Sequence, residues 1–266
     1  LTSGLLDQEH CWLYYPEGAL RLRLIGQLIL TKLIEKCINN NYRVISANTD
    51  GAEIIIPKKE WDHYKEMVKE VEQQFNLEFE HEKYSFIYYK NVNGYICKTE
   101  SGKIKRKGLF KIPKNEAGQD EIPLGDSINE PVIAIALNNY FVNNIPIEET
   151  ICNPEKYNLH IYDYTCSNKI SKEYEVWYNN EQIQNLNRYY FSKPAPFLLK
   201  RKKENAAKRK LNANFEHVNA GNPVIIFNNY EHKEWQDYKI NFNHYLAKCR
   251  QIINELNSKR RQLTLF

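Results

Sequence analysis

Tyr42-Arg43-Val44-Ile45-Ser46-Ala47-Asn48-Thr49-Asp50-Gly51-Ala52-Glu53-Ile54-Ile55-Ile56-Pro57 is the stretch on which the fold turns. Two runs rich in β-branched residues flank Asn-Thr-Asp-Gly. Asp-Gly between apolar runs signals a tight hairpin, because glycine accepts the positive φ that such a turn needs. The spacing predicts strands over Tyr42–Ala47 and Ala52–Pro57. Upstream, Leu20, Leu24, Gln27, Leu28, Thr31 and Ile34 recur at helical spacing, which predicts a helix over Pro16–Asn39. It is apolar almost all round, so burial between a sheet and other elements is expected. Downstream, Trp61, Tyr64, Val68, Val71 and Phe75 form the stripe of an amphipathic helix over Lys58–Asn76.

Short segments rich in β-formers follow at Tyr84–Tyr89, Tyr95–Thr99 and Ile104–Phe110, with a turn at Glu100-Ser101-Gly102. Helix, hairpin, helix and strands in this order predict an α+β domain over residues 1–127, an antiparallel sheet backed by helices. The polar, aperiodic stretch Lys114–Ser127 is expected to be a boundary. Pro131 suits the first turn of a helix running to about Val142. Residues 128–258 are expected to be mixed and mostly helical, closing with a helix over about Trp235–Leu256. Asn39–Asn41, Asn143–Asn144 and Asn179–Asn180 suit turns. No internal repeat is visible.

The chain has 266 residues, 42% of them apolar and 13% aromatic, enough to bury a core of one large or two ordinary domains. Its net charge of +4 is too small to name a partner. Cysteines at 11, 37, 97, 152, 166 and 249 form no CxxC pair, which argues against a zinc ribbon and against a disulfide framework. Reduced cysteines are expected. No run reaches the roughly 20 apolar residues of a membrane span; Leu20–Leu33 is broken by Arg21, Arg23, Gln27 and Lys32. No signal peptide is visible. The first residue is Leu1, so a natural N-terminus lying further upstream is expected.

Two features bear on chemistry. A carboxylate at a hairpin tip, Asp50, is held by a sheet yet faces solvent, which suits a hard divalent ion. By turn preference alone, it is also what an ordinary tight turn contains. The second is Arg188–Lys210, where nine basic residues face one acid, Glu204, with Tyr189, Tyr190, Phe191 and Phe197 interleaved. Such a run neutralises phosphates without reading sequence, or else forms a solvated loop. The seven histidines form no HxxxH or HExxH pattern. Trp12, Trp61, Trp177 and Trp235 are expected in the core.

In its order of elements, the chain resembles the palm of family B DNA polymerases, whose third motif is usually Asp-Thr-Asp-Ser on such a hairpin. Asn48-Thr49-Asp50-Gly51 is similar to the variant of bacteriophage members, with Asn48 in place of the first aspartate. Glu9-His10-Cys11-Trp12-Leu13-Tyr14-Tyr15-Pro16, Ala19-Leu20-Arg21 and Gly26-Gln27-Leu28 resemble the region before that hairpin. Tyr95 and Gly102-Lys103-Ile104-Lys105-Arg106-Lys107-Gly108-Leu109 resemble the segment where Lys-Lys-x-Tyr leads to a basic-Gly-Leu turn, although Val92 and Asn93 replace the paired lysines, with Lys90 nearby. Phe141-Val142-Asn143, Ile147-Glu148-Glu149-Thr150-Ile151, Leu186-Asn187-Arg188-Tyr189-Tyr190 and Ile226-Phe227-Asn228 are similar to thumb segments.

The resemblance implies nucleotidyl transfer to a primer 3′-hydroxyl, with two Mg2+ ions in the intact enzyme. Asp50 falls on the catalytic metal ligand. Thr49, Lys90, Tyr95, Lys105, Lys107, Gly108, Arg188, Lys200, Arg201, Lys202 and Lys203 fall on DNA-binding positions. Residues 1–127 would be the C-terminal half of a palm and 128–258 a thumb. The upstream aspartate and the nucleotide-binding Lys-x3-Asn-Ser-x-Tyr-Gly helix lie outside the chain, so it should not polymerise alone. Implied partners are primer-template DNA and deoxynucleoside triphosphates, in the cytoplasm of a bacterial host and with no membrane. A non-catalytic DNA-gripping module, decayed or split from a polymerase, is the alternative. A nuclease using Asp50 is a third, but Glu53 is the only carboxylate close to Asp50 in sequence. Finally, residues 259–266 form a tail, with Asn257–Arg261 expected as a flexible tether. Its end, Gln262-Leu263-Thr264-Leu265-Phe266, resembles the Gln-Leu-x-Leu-Phe motif by which bacterial replication proteins bind the sliding clamp. Leu263, Leu265 and Phe266 would fill apolar pockets and Gln262 would bond at the rim. Packing of the tail back on its own domain is the competing expectation.

Overall fold

The computed structural model describes residues 2–48, 51–91, 93–112, 129–203 and 215–263. Packing divides the chain after Glu82 into two compact units, 1–82 and 83–266. The stretch 114–127, expected to mark a boundary, lies outside the described residues.

The first unit begins with α1 (Thr2–Leu6) and α2 (Pro16–Asn39), the latter opening on a proline whose missing N–H costs nothing there. After α2, Asn41 takes a positive φ of 61° and turns the chain into the hairpin β1 (Arg43–Ala47) and β2 (Ala52–Ile55). The antiparallel register pairs Arg43 with Ile55 and Ala47 with Ala52, with an irregularity between Val44 and Ser46. A 3-10 turn over Lys58–Glu60 leads into α3 (Trp61–Phe75), which Asn76 ends in the left-handed region. The core joins Leu30, Leu33 and Cys37 of α2 to Tyr42 and to Tyr64, Met67, Val68 and Val71 of α3.

The expected burial of α2 along its whole length does not hold. Leu20, Leu22, Leu24, Ile25 and Leu28 are 49–69% exposed. At 1.5 Å per residue α2 is about 36 Å long and α3 about 22 Å, so α3 cannot cover both halves. Trp12, expected in the core, sits before the uncovered half and is 90% exposed.

The second unit starts with a three-stranded antiparallel meander, β3 (Tyr84–Asn91), β4 (Gly94–Thr99) and β5 (Ile104–Lys107), closed by a 3-10 turn over Gly108–Phe110. Helices α4 (Pro131–Asn143) and α5 (Ile147–Cys152) follow. Buried Asn138 of α4 donates to the carbonyls of Phe110 (3.0 Å) and Ala134 (2.7 Å), tying α4 to the meander. A 3-10 turn over Ile161–Tyr164 is boxed by His160 and Asp163.

Seven further strands occupy the region expected to be mostly helical. They are β6 (Thr165–Lys169), β7 (Tyr174–Tyr178), β8 (Glu181–Ile183), β9 (Leu186–Phe191), β10 (Leu198–Lys202), β11 (Glu216–His217) and β12 (Val224–Ile226). They form two antiparallel sheets, ordered β12-β9-β6 and β11-β10-β7-β8. The α+β class therefore holds through both units. A further 3-10 turn at Trp235–Tyr238 precedes α6 (Phe242–Leu263). This helix continues through Asn257–Arg261, the expected tether.

One aromatic column knits the second unit. The Tyr164 hydroxyl donates to Ile151 O (2.7 Å), the Tyr245 hydroxyl donates to Tyr164 O (2.7 Å), and Phe191 N–H donates to the Tyr245 oxygen (3.1 Å). Burial raises the pKa of both phenols, so they remain donors.

Candidate nucleic-acid interface

Two hydrogen bonds tie Asn48 to Gly51 across the base of the hairpin tip. Asn48 N–H donates to Gly51 O at 2.9 Å, and Gly51 N–H donates to the side-chain Oδ1 of Asn48 at 2.7 Å. Thr49 and Asp50, between them, lie outside the described residues. Among the described residues, no three or more His, Cys, Asp or Glu side chains cluster as a metal site. Glu53, on β2 opposite Ser46, adds only one carboxylate to the hairpin. These residues do not assemble the oxygen donor set that a two-magnesium centre needs.

The meander carries the next group. Cross-strand register sets Tyr95 opposite Lys107 and Cys97 opposite Lys105. The Lys105 ammonium lies 5.9 Å from the Tyr84 ring centre, and Lys107 is exposed. Lys90 pairs with Glu255 of α6 at 3.8 Å. Gly108 has φ +61°, and a Cβ there would stand 2.3 Å from Asn93 O and 2.9 Å from Gly94 Cα. Two backbone segments meet at this point, so glycine is required by space as well as by angle.

The basic run is split by the fold. Arg188 lies on β9, where its guanidinium donates to Thr165 Oγ1 (3.1 Å) and lies 5.3 Å from the Tyr162 ring centre. Lys200, Arg201 and Lys202 lie on β10, in the other sheet. Strand alternation then separates neighbours. Lys200 pairs with Glu216 (3.2 Å) and sits over the Tyr174 ring (4.9 Å). Arg201 points to the opposite face. It donates to Glu175 Oε2 at 2.9 Å and lies beside the Trp177 and Phe215 rings, 5.5 and 4.8 Å from their centres. Its side chain is 13% exposed. The hydrogen bond from Arg201 holds the Glu175 carboxyl below its ordinary range. Lys202 and Lys203 are exposed. Lys208, Arg209 and Lys210 lie outside the described residues.

At the C-terminus, Gln262 and Leu263 end α6, and Leu265 and Phe266 lie outside the described residues. Among the described residues, no helix is long and apolar enough to cross a membrane.

One charged cluster has no signature in the spacing of the sequence. Glu130, 8% exposed, accepts from His244 Nε2 at 2.9 Å and from Lys248. His244 stacks on Phe191 with ring centres 3.5 Å apart. The partners are 114 and 118 residues apart, so no local spacing could have revealed them. Glu175 escaped notice for a similar reason, since register alone brings it opposite Arg201.

No family model matches the chain. Over 116 residues, 43% of its length, it is 30% identical to DNA polymerase 1 of Sulfolobus acidocaldarius. That stretch is 13% of the relative's length, so the chain corresponds to a small part of that protein. Over that part, this chain is distantly related to a DNA polymerase.

Proposed function

We propose that the chain is part of a template-directed DNA polymerase of family B, of the bacteriophage type, which adds deoxynucleotides to a primer 3′-hydroxyl. The observation that carries the reading is the β1–β2 hairpin, tied between Asn48 and Gly51, the residues that flank Thr49-Asp50 in sequence, with α2 before it in sequence and α3 after it. Its support comes from the similarity to a DNA polymerase. In this reading residues 1–127 complete a palm, 128–258 form a thumb, and Asp50 is the carboxylate that this chain gives to a magnesium centre. The remaining ligands come from upstream polymerase motifs. Lys90, Tyr95, Lys105, Lys107 and Gly108 flank the duplex. Arg188, Lys200, Lys202 and Lys203 neutralise its phosphates, and Arg201 stiffens the strand that presents the last three.

Replacing Asp50 by Asn in the intact polymerase tests the assignment. Primer extension should fall by roughly a thousandfold, the scale of losing a preorganised electrostatic contact to the transition state. Extension within about tenfold of wild type would overturn it. The second reading is a non-catalytic module that grips duplex. In that case Asp50→Asn would leave primer-template binding unchanged and there would be no extension to lose.

A further inference from the structure

Phe227 is buried, and it meets its buried neighbours edge to face, at 73° to Tyr190 and 80° to Tyr238. Three rings at the surface beside it pack differently. His160 lies at 20° to Tyr162 and 25° to Tyr230, with ring centres 5.1 and 5.4 Å away. Tyr162 and Tyr230 are 6.1 Å apart at 31°. Tyr162 is half-buried, but His160 is exposed and Tyr230 is 51% exposed, so this offset stack opens to solvent. Both segments that carry the rings are tied down. His160 N–H donates to Asp163 Oδ2 at 2.7 Å, and Tyr162 N–H donates to His160 Nδ1 at 3.3 Å. Tyr230 lies in the loop after β12. Asn228 fixes that loop to β9, accepting from Arg188 N–H at 2.8 Å and donating to Asn187 Oδ1 at 3.0 Å. One residue beyond Tyr230, Glu231 O accepts from the Tyr238 hydroxyl at 3.0 Å. Phe227 supports both tyrosines edge-on, at 63° to Tyr162 and 83° to Tyr230. The rings are therefore set before any ligand arrives, and a ligand need not order them. The Arg188 guanidinium lies 5.3 Å from the Tyr162 ring centre, while Lys233 and Glu231 neutralise each other at 2.9 Å.

From this arrangement we infer that His160, Tyr162 and Tyr230 form a stacking site for an unpaired base of a single DNA strand, with Arg188 meeting an adjoining phosphate. Every base has a π-face, and exposed aromatic rings beside a cation hold a strand without reading its sequence. A duplex keeps its base faces inside its own stack, so the duplex grip given to the basic run cannot use these rings. An uncharged sugar chain could cover the rings but offers Arg188 no phosphate. The choice of DNA as the occupant rests on the nucleic-acid reading above, and the single-strand site goes beyond it.

The test uses the full 266-residue chain and a short single-stranded oligothymidine with one central 2-aminopurine, whose fluorescence falls when the base stacks. Wild type should quench it. Tyr230→Ala should weaken binding about tenfold, the scale of one lost base–aromatic stack. Tyr230→Phe keeps the ring and should stay within about threefold of wild type. Tyr230→Leu keeps apolar bulk without a ring, so it should match Tyr230→Ala, and it decides the matter if Tyr230→Ala does not fold. An abasic strand of the same length should compete about tenfold more weakly than one with bases. Wild-type affinity in Tyr230→Ala or Tyr230→Leu would overturn the inference, as would equal competition by the abasic strand. Anisotropy of a blunt duplex supplies the second arm. Tyr230→Ala should leave duplex binding within about twofold, because phosphate contacts carry it. An equal loss on duplex and on single strand would also overturn the inference. A chain that quenches the single strand and does not hold duplex counts against the duplex grip instead, and leaves the stacking site standing.

Discussion

Replacing Glu130 with alanine removes the acceptor that ties the start of α4 to the last helix. In the native fold Glu130 is 8% exposed, and it accepts from His244, 9% exposed, and from Lys248, 41% exposed. The two donors respond differently. Lys248 can turn to water, so its loss should cost about 0.5 kcal/mol, as for a half-exposed pair. His244 is pinned against Phe191 and cannot, so its stranded Nε2 should cost about 1.5–2 kcal/mol. The sum is roughly 2–2.5 kcal/mol, or a fall of about 5–8 °C in the melting temperature of a unit this size. Glu130 also has φ +53°, an angle that glycine adopts freely. Glu130→Gly should therefore be about 1 kcal/mol less damaging than Glu130→Ala, although it deletes more atoms. Acidity gives a further check. Burial alone would raise the Glu130 carboxyl, but the hydrogen bonds and charges of His244 and Lys248 leave it below its ordinary value. A lowered carboxylate stabilises the fold above its unfolded pKa and loses that contribution as pH falls through the folded one. The gap between wild type and Glu130→Ala should then be full at neutral pH and close in acid. Urea melts of the two variants from neutral to acidic pH measure it. A neutral-pH loss under about 0.5 kcal/mol would refute the argument, as would a gap that widens in acid.

Other consequences are as direct. Neutralising Lys200, Lys202 and Lys203 should flatten the salt dependence of primer-template binding by about 0.9 in log–log slope per lost phosphate contact, whereas Arg201→Ala should lower the melting temperature and leave the slope alone; anisotropy titrations across a salt series would expose a reversed pattern. Gly108→Ala combines a left-handed angle with a backbone clash and should cost about 3 kcal/mol. Gly102→Ala, at φ +88° with no atom within 4 Å of the added Cβ, should cost about 1 kcal/mol, so equal melting temperatures would remove the clash argument. Deleting residues 262–266 should abolish binding to a bacterial sliding clamp in surface-plasmon titrations, and undiminished binding would show that the tail is not the anchor.

Much of this molecule was legible from local chemistry. The Pro16–Asn39 helix, the Asp-Gly hairpin, the amphipathic helix ending at Phe75 and the three strands after Tyr84 all follow from spacing of period 3.6 or 2 and from turn residues. The α+β class followed from their order. Boundaries slipped where the backbone tightens: Lys58–Glu60, Gly108–Phe110 and Trp235–Tyr238 are 3-10 turns beside the helices or strands they were expected to extend.

What the sequence by itself determined, then, was the main elements between Pro16 and Phe110 and the residues that carry chemistry, including the Asn-Thr-Asp-Gly turn and the basic run from Arg188, whereas the region read as mostly helical holds seven strands. Tertiary structure alone decided which of those side chains meet. The run Lys200-Arg201-Lys202-Lys203 reads as one patch of charge, yet a pleated strand sends alternate residues to opposite faces, and pairing with β7 set Glu175 beside Arg201. Glu130, His244 and Lys248 carry no shared spacing and came together only because α6 returns against the start of α4. Even the apolar helix α2 was read correctly as a helix and incorrectly as buried throughout. Periodicity tells which face is apolar, but the reach of the neighbouring helix decides how much of that face is covered.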